Sequence, residues 1–246
     1  MKKDRIFWGT VAPLAAVVSS LLLVTAILVL RGANPITIFQ VMISYGFEPR
    51  NLVSELNQTV SYYLAGVAAA IGFKMLLFNI GIDGQYRMGA FFGAVVGAAV
   101  SLPPVLHVLL IVITAMLAGG LWAAIAGYLK VRRGVSEVIS NIMLNFIAAA
   151  IIAFLLGEDL LGILPEGSQN VQTRPIPLSG QMPTFKIFDG EIYSFVFVAI
   201  FVGIAYWIML NKTVFGFNLR ATGLSFRAAR SSGVNAPGMI FITTVL

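Results

Sequence analysis

Glu137, Asn141 and Asn145 stand four residues apart, so on a helix they share one face over two turns. One carboxylate and two carboxamides there can hydrogen-bond the hydroxyls or base edges of a polar solute. They can equally tie neighbouring helices together, at about 0.6 kcal/mol per bond inside a membrane. Glu137, next to Ser136, also suits a first-turn acid favoured by the helix dipole. A second polar group is Phe78-Asn79-Ile80-Gly81-Ile82-Asp83-Gly84-Gln85, where two glycines and three hydrogen-bonding side chains interrupt an apolar run. The pattern fits an ordinary turn. It also fits a broken helix whose freed backbone faces a water-filled path, the setting in which such backbone is tolerated at membrane depth. An Asp83 at the bilayer centre costs about 2.5 to 3.5 kcal/mol, which places it at the interface or facing water.

Little else in the chain could do chemistry. There is no cysteine and a single histidine, which removes disulfides, thiolate metal sites, nucleophilic Cys and His-rich metal clusters. No HExxH, GxSxG or Walker A sequence occurs. Nor do paired carboxylates stand deep in apolar segments, as a proton or sodium relay would need. His107, just after Pro103-Pro104, is expected to be interfacial and without a chemical role. We therefore expect no catalytic residue, no metal ligand and no bound cofactor in this chain.

The elements that position these groups follow from composition. Of 246 residues 59% are apolar and 11% charged, with a mean hydropathy of +0.92, whereas soluble chains are about one-quarter charged. A net charge of +6 comes without a basic run interleaved with aromatics, so nucleic acid is not a partner. The expected class is an all-α polytopic membrane protein. At about 20 apolar residues per crossing, spans are expected at 11–30, 60–82, 138–157 and 192–211. Residues 88–129 carry no formal charge and are too long for one crossing; Ser101-Leu102-Pro103-Pro104 divides them into two helices and a tight turn. That makes about six complete spans, and the apolar run from Met239 to Leu246 is a truncated seventh, as though C-terminal helices were lacking. The first span reads as an uncleaved helix, because a signal core runs to about 7–15 residues. A break or re-entrant segment is expected near residues 78–85.

Orientation follows from the cations. With the N-terminus cytoplasmic, Lys2, Lys3, Arg5, Lys74, Arg87, Lys130, Arg132, Arg133, Lys212, Arg220, Arg227 and Arg230 fall inside, leaving Arg31, Arg50, Arg174 and Lys186 outside. The positive-inside rule asks for that arrangement. Residues 158–191 then form an extracytoplasmic loop, acidic through Glu158, Asp159, Glu166, Asp189 and Glu191, and residues 212–237 a cytoplasmic one. Gly89, Gly93 and Gly97, and Ala115, Gly119, Ala123 and Gly127, recur every four residues. Such small-residue faces let helices approach closely where lipid supplies no hydrophobic drive.

In the cytoplasmic loop, Gly216-Phe217-Asn218-Leu219-Arg220-Ala221-Thr222-Gly223 and the residues through Gly233 mix basic, aromatic and small types. They suit a short amphipathic helix, stopped at Gly233, on lipid or in a partner's groove. Together with Lys74 to Gln85 (KMLLFNIGIDGQ) and Gly134 to Ala148 (GVSEVISNIMLNFIA), this stretch (GFNLRATGLSFRAARSSG) resembles the permease subunits of bacterial ABC importers for simple sugars and nucleosides. That branch includes ribose and branched-chain amino acid permeases, and the likeness is greatest to nucleoside permeases working with a basic membrane lipoprotein.

The resemblance covers nearly all of residues 1–246, read as one permease domain of the bacterial cytoplasmic membrane. It implies that Gly216, Arg220, Ala221, Gly223, Arg227, Ala228, Ala229 and Gly233 belong to the loop engaging a separate ATPase subunit, which binds ATP and Mg. Ala228-Ala229 and Gly233 match the tail of the general importer signature EAA-x-x-x-G, with Arg227 where the acid usually stands. It further implies that Asn79, Asp83, Gln85, Glu137, Asn141 and Asn145 line a substrate path. The implied partners are a second permease subunit, alike or different, and an extracytoplasmic binding lipoprotein or periplasmic protein. The alternative is an ion-coupled secondary carrier for a small polar solute, which would use Asp83 and Glu137 as its intramembrane acids.

Overall fold

The computed structural model describes residues 2–157, 160–187 and 189–246, with side chains from residue 11 onward. Glu158 and Asp159, counted above in the acidic loop, lie outside the described residues, as do the side chains of Lys2, Lys3 and Arg5. The chain forms two compact units, residues 1–55 with 186–191, and residues 56–185 with 192–246.

The first unit holds α1 (Lys2–Leu30), α2 (Pro35–Gly46) and the opening turns of α3 (Pro49–Phe73). Between α1 and α2, Gly32 takes a φ of 73°, a conformation that needs no Cβ. The Asn34 carboxamide oxygen then accepts from the backbone N–H of Ile36 at 3.0 Å, and Pro35 opens the helix. That is a regular N-cap followed by proline at N1. The hydropathy reading above did not foresee α2, which is too short to cross a bilayer.

In the second unit α3 continues to Phe73, followed by α4 (Ile82–Ala99), α5 (Pro104–Arg133), α6 (Glu137–Leu155), α7 (Phe195–Lys212), α8 (Val214–Leu224), α9 (Phe226–Ser231) and α10 (Ala236–Val245). Between α6 and α7 lie short strands β1 (Gly162–Ile163) and β2 (Gln172–Thr173), paired antiparallel, a 3₁₀ turn at Leu178–Gly180, and the pair β3 (Thr184–Ile187) and β4 (Gly190–Tyr193). Among the described residues, four helices are long and apolar enough to cross a membrane: α1 from Val11, α5, α6 and α7. The chain is a mostly helical, polytopic membrane protein.

Three expectations are revised. The helix expected over 60–82 runs instead from Pro49 to Phe73. The break lies at residues 74–81, and Asp83 and Gln85 already belong to the first turn of α4. Polar side chains in the opening turns of α3 hid its start from a hydropathy reading. The expected single amphipathic helix of the 212–237 loop is two helices, because the Ser225 hydroxyl accepts from the Ala228 N–H at 3.3 Å and starts a new one. Gly233, at a φ of 86°, follows the end of α9.

The small-residue faces pack as their spacing suggests. A Cβ on Gly89 would stand 2.9 Å from the Ala115 carbonyl oxygen, and one on Gly119 would stand 3.1 Å from that of Gln85. These are α4–α5 contacts in which backbone meets backbone. About two turns further along α5, Gly127 faces Phe241 of α10. His107 is fully buried rather than interfacial. Its Nε2 donates to the Gly97 carbonyl at 2.9 Å, leaving Nδ1, 2.8 Å from the Ser179 hydroxyl, to accept. The ring thus joins the end of α4, the start of α5 and the 3₁₀ turn. Burial is allowed because both ring nitrogens are partnered.

Candidate functional site

The break after α3 leaves backbone groups that no helix can pair, and the asparagines satisfy them. Asn79 bends the chain: its carboxamide oxygen accepts from the Gly81 N–H at 3.1 Å, an Asx turn. The same oxygen accepts from the Gln85 side chain at 3.3 Å and from Asn141 Nδ2 at 3.3 Å. Asn145 grips the segment from α6. Its Oδ1 accepts from the Gly84 N–H at 3.0 Å, and its Nδ2 donates to the Ile80 carbonyl at 3.0 Å. Asn141 is 1% exposed. Glycine is required here for space, since a Cβ on Gly81 would stand 2.5 Å from Asn141 Oδ1 and one on Gly84 2.7 Å from Asn145 Oδ1.

Four of the six candidate path residues, Asn79, Gln85, Asn141 and Asn145, thus come together as one network. The other two do not join it. Asp83 is more than half exposed and pairs with Arg87 one turn along α4, at 2.9 Å. Glu137 takes a 2.6 Å ion pair from Lys130 across the α5–α6 turn. That turn is made by Gly134 at a φ of 68°. Clefts of about 310 Å³, beside Val95 and Arg174, and about 540 Å³, beside Tyr128 and Phe241, are lined by none of the six. Of the four network residues, Asn141 is buried and Asn79, Gln85 and Asn145 are half-buried.

The Lys130–Glu137 pair gives a first expected outcome. Glu137→Gln keeps an acceptor for the lysine and should change stability little. Lys130→Met strands a largely buried carboxylate and should cost about 1–3 kcal/mol. Thermal unfolding of the detergent-solubilised protein distinguishes the two.

The loop residues divide by side. The core of this end of the protein is Ile71, Met75, Leu77, Leu210, Leu219 and Met239, with Leu219 of α8 fully buried. α8 reaches it through glycines: a Cβ on Gly216 would overlap the Met209 and Leu210 carbonyls, and one on Gly223 the Lys74 carbonyl. Arg220 turns inward and donates to the Leu210 carbonyl, capping the end of α7 as a cation should. Ala229 is buried and Ala221 half-buried, while Arg227, Ala228 and Gly233 are exposed. The outer surface of α8–α9 also presents Val214, Phe217, Leu224 and Phe226, exposed large side chains. Sequence reasoning selected the small and basic residues here and passed over these apolar ones. Their signal was the spacing of Val214, Phe217, Leu224 and Phe226 among buried Gly216, Leu219 and Thr222.

Two further side chains were not foreseen. Trp122 Nε1 and Ser140 Oγ are buried without a hydrogen-bond partner among the described residues. Trp122 Nε1 stands 3.3 Å from the position a Gly84 Cβ would take, beside Asn145 Oδ1.

Comparison with known proteins places these features in a family. Residues 51–246 match the family described as branched-chain amino acid transport system / permease component. Among curated proteins, the chain is similar to the guanosine ABC transporter permease protein NupP of Bacillus subtilis, with 33% identity over 73% of this chain and 51% of that protein. It is 30% identical to the glucose ABC transporter permease protein TsgB13 of Haloferax volcanii, over 93% of this chain and 61% of that one. With the nucleoside ABC transporter permease protein NupB of Lactococcus lactis the identity is 27%, over 95% and 66%. The chain spans about half to two-thirds of the length of these relatives. No solved structure matches it. With a helical membrane fold, a network that closes around a broken helix, and a family match running from the start of α3 to Leu246, the chain belongs to the branched-chain amino acid transport system permease components.

Proposed function

We propose that this chain is the membrane-spanning part of an ATP-driven importer permease that moves a nucleoside or simple sugar. The observation that carries this reading is the seating of α8. Gly216, Gly223 and Leu219 hold one face against the protein, while the other turns Val214, Phe217, Leu224 and Phe226 outward beside Arg227 and Arg230. An apolar ridge edged by arginines, on the side of the chain richest in cations, suits a groove on a soluble partner. That partner is a cytoplasmic ATPase subunit holding ATP and Mg. Gly216, Arg220 and Gly223 serve it by fixing α8 to the core, and Arg227 and Ala228 by facing it.

In this reading α1, α3, α4, α5, α6 and α7 cross the membrane, and the N-terminus is cytoplasmic. Residues 158–191 face outward, where a binding lipoprotein or periplasmic protein docks. A second permease subunit, alike or different, completes the pathway in the bacterial cytoplasmic membrane. The printed substrates of the relatives, guanosine, glucose and nucleosides, support a polar, uncharged solute. The carboxamides of Asn79, Asn141 and Asn145 suit one when the network opens. The ion-coupled alternative is weakened, because its two acids, Asp83 and Glu137, are each held in a local ion pair.

The test is reconstitution of the full-length subunit with its ATPase and binding protein in liposomes, using labelled guanosine and labelled glucose. Uptake that requires ATP is expected. Uptake driven by an ion gradient without ATP would overturn the reading.

A further inference from the structure

Residues 74–81 form a strap with two differently anchored ends. At the first, Met75 and Leu77 are buried in the core that receives Leu219 of α8, the Lys74 carbonyl lies against Gly223, and Met75 Sδ accepts from the Thr243 hydroxyl of α10 at 3.1 Å. At the second, Asn79 and Ile80 are bonded to Asn141 and Asn145 of α6. Between them stands Leu76, 74% exposed at a φ of 57°. An L-residue is held there only by what surrounds it. Both ends of the strap are anchored, which gives a displacement of α8 at one end a covalent route of a few residues to the other.

What it reaches there is an exchangeable bond. Asn145 Oδ1 now accepts from the Gly84 N–H, while the Trp122 indole nitrogen, which borders the same Cβ position of Gly84 as Asn145 Oδ1, is buried without a hydrogen-bond partner among the described residues. A buried donor left unpaired calls for an explanation, and a second arrangement in which it is paired supplies one. A shift that draws Gly84 from Asn145 lets Trp122 take its place, and α4 is then free to move against α6.

We propose that the 74–81 strap carries the movement of α8 to the α4–α6 contact, and that Trp122 is the positioning residue that accepts the exchange, its indole N–H replacing that of Gly84 on Asn145. This rests on the permease reading above and adds the route by which the partner acts.

The experiment uses the full-length subunit assembled with its ATPase in nanodiscs and liposomes. Trp8 and Trp207 are replaced by Phe, so that Trp122 is the remaining tryptophan within residues 1–246; any beyond residue 246 are replaced likewise. Binding of ATP to the complex is expected to shift the Trp122 emission, as an indole gaining a hydrogen bond does. Trp122→Phe, tested with Trp8 and Trp207 native, keeps the ring and loses the donor. It should leave ATPase association intact and lower uptake about tenfold, the scale of one hydrogen bond lost from one of two states. Leu76→Gly keeps Met75 and Leu77 and slackens the joint, so association should persist while the ATP-dependent emission shift disappears. An unchanged emission on ATP binding in an assembly that still imports, a full shift in Leu76→Gly, or wild-type uptake by Trp122→Phe would each overturn the strap while leaving the permease reading standing. Absence of ATP-driven uptake by the unsubstituted assembly would instead overturn the permease reading.

Discussion

Gly223→Val is expected to lower stability by about 3 kcal/mol and to abolish ATP-driven uptake. The cause is local. A Cβ at this position would overlap the Lys74 carbonyl oxygen and stand 3.0 Å from Met75 Cα, both backbone atoms of a segment pinned at its ends. Overpacking against side chains that can rotate costs about 1–3 kcal/mol, and a backbone wall has no rotamer to give. α8 must lift from the core, taking with it the contacts of Leu219, which is fully buried. A matched control is Gly66→Ala in α3, where nothing lies within 4 Å of the added carbon. Helix propensity there predicts a gain of up to about 1 kcal/mol. Thermal unfolding of both variants in the same detergent decides the matter. If Gly223→Val melts with the wild type, α8 is not seated on the strap.

The seating of α8 was only partly legible in the sequence. Composition singled out residues 212–237 as a stretch mixing glycines, aromatics and arginines. It could not tell which face of each helix is inward, since inward and outward residues alternate with no charged side to orient them: Gly216, Leu219 and Thr222 are buried, and Phe217 and Leu224 are exposed. The same limit hid the role of the asparagines. Their four-residue spacing put Asn141 and Asn145 on one face, and the glycines near Asn79 marked a break. Their pairing depends on residues about sixty positions apart in sequence, which no local pattern encodes. Hydropathy located α1, α5, α6 and α7 well, because each is nearly free of charge. It misplaced α3, whose opening turns carry Glu55, Asn57, Gln58 and Thr59, and it missed α2, a helix too short to register as a span. His107 was misjudged for a related reason: proline on its N-terminal side signalled a turn, but not that Gly97 and Ser179 would close over the ring.

Asn145→Leu should be the most damaging change in the polar network, ahead of Asn141→Leu, although Asn141 is the more deeply buried of the two. Burial is the weaker guide here, because what matters is which groups are left unpaired. Losing Asn141 removes one donor to Asn79 Oδ1, which retains the Gly81 N–H and Gln85. Losing Asn145 strands two backbone groups at once, the Gly84 N–H and the Ile80 carbonyl. Each sits where the chain leaves helical geometry and has no neighbour in the helix to accept or donate. The part-buried Gly84 N–H left unmade costs about 1–3 kcal/mol and the exposed Ile80 carbonyl adds less, against about 1 kcal/mol for Asn141→Leu. Asn145→Asp separates the two bonds: a carboxylate still accepts from Gly84 but meets the Ile80 carbonyl with no proton to offer, so it should fall between wild type and leucine. Hydrogen exchange at Gly84, which is protected by a side chain rather than by a helix, reports the first bond directly. It should accelerate in Asn145→Leu and stay slow in Asn141→Leu. Equal exchange in the two variants would mean that the break is held by something other than Asn145. The order of the three variants in uptake should follow their order in stability only if the bonded network is a state the transport cycle must revisit. A variant that folds less well yet imports faster would identify the network as a lock that the cycle has to open.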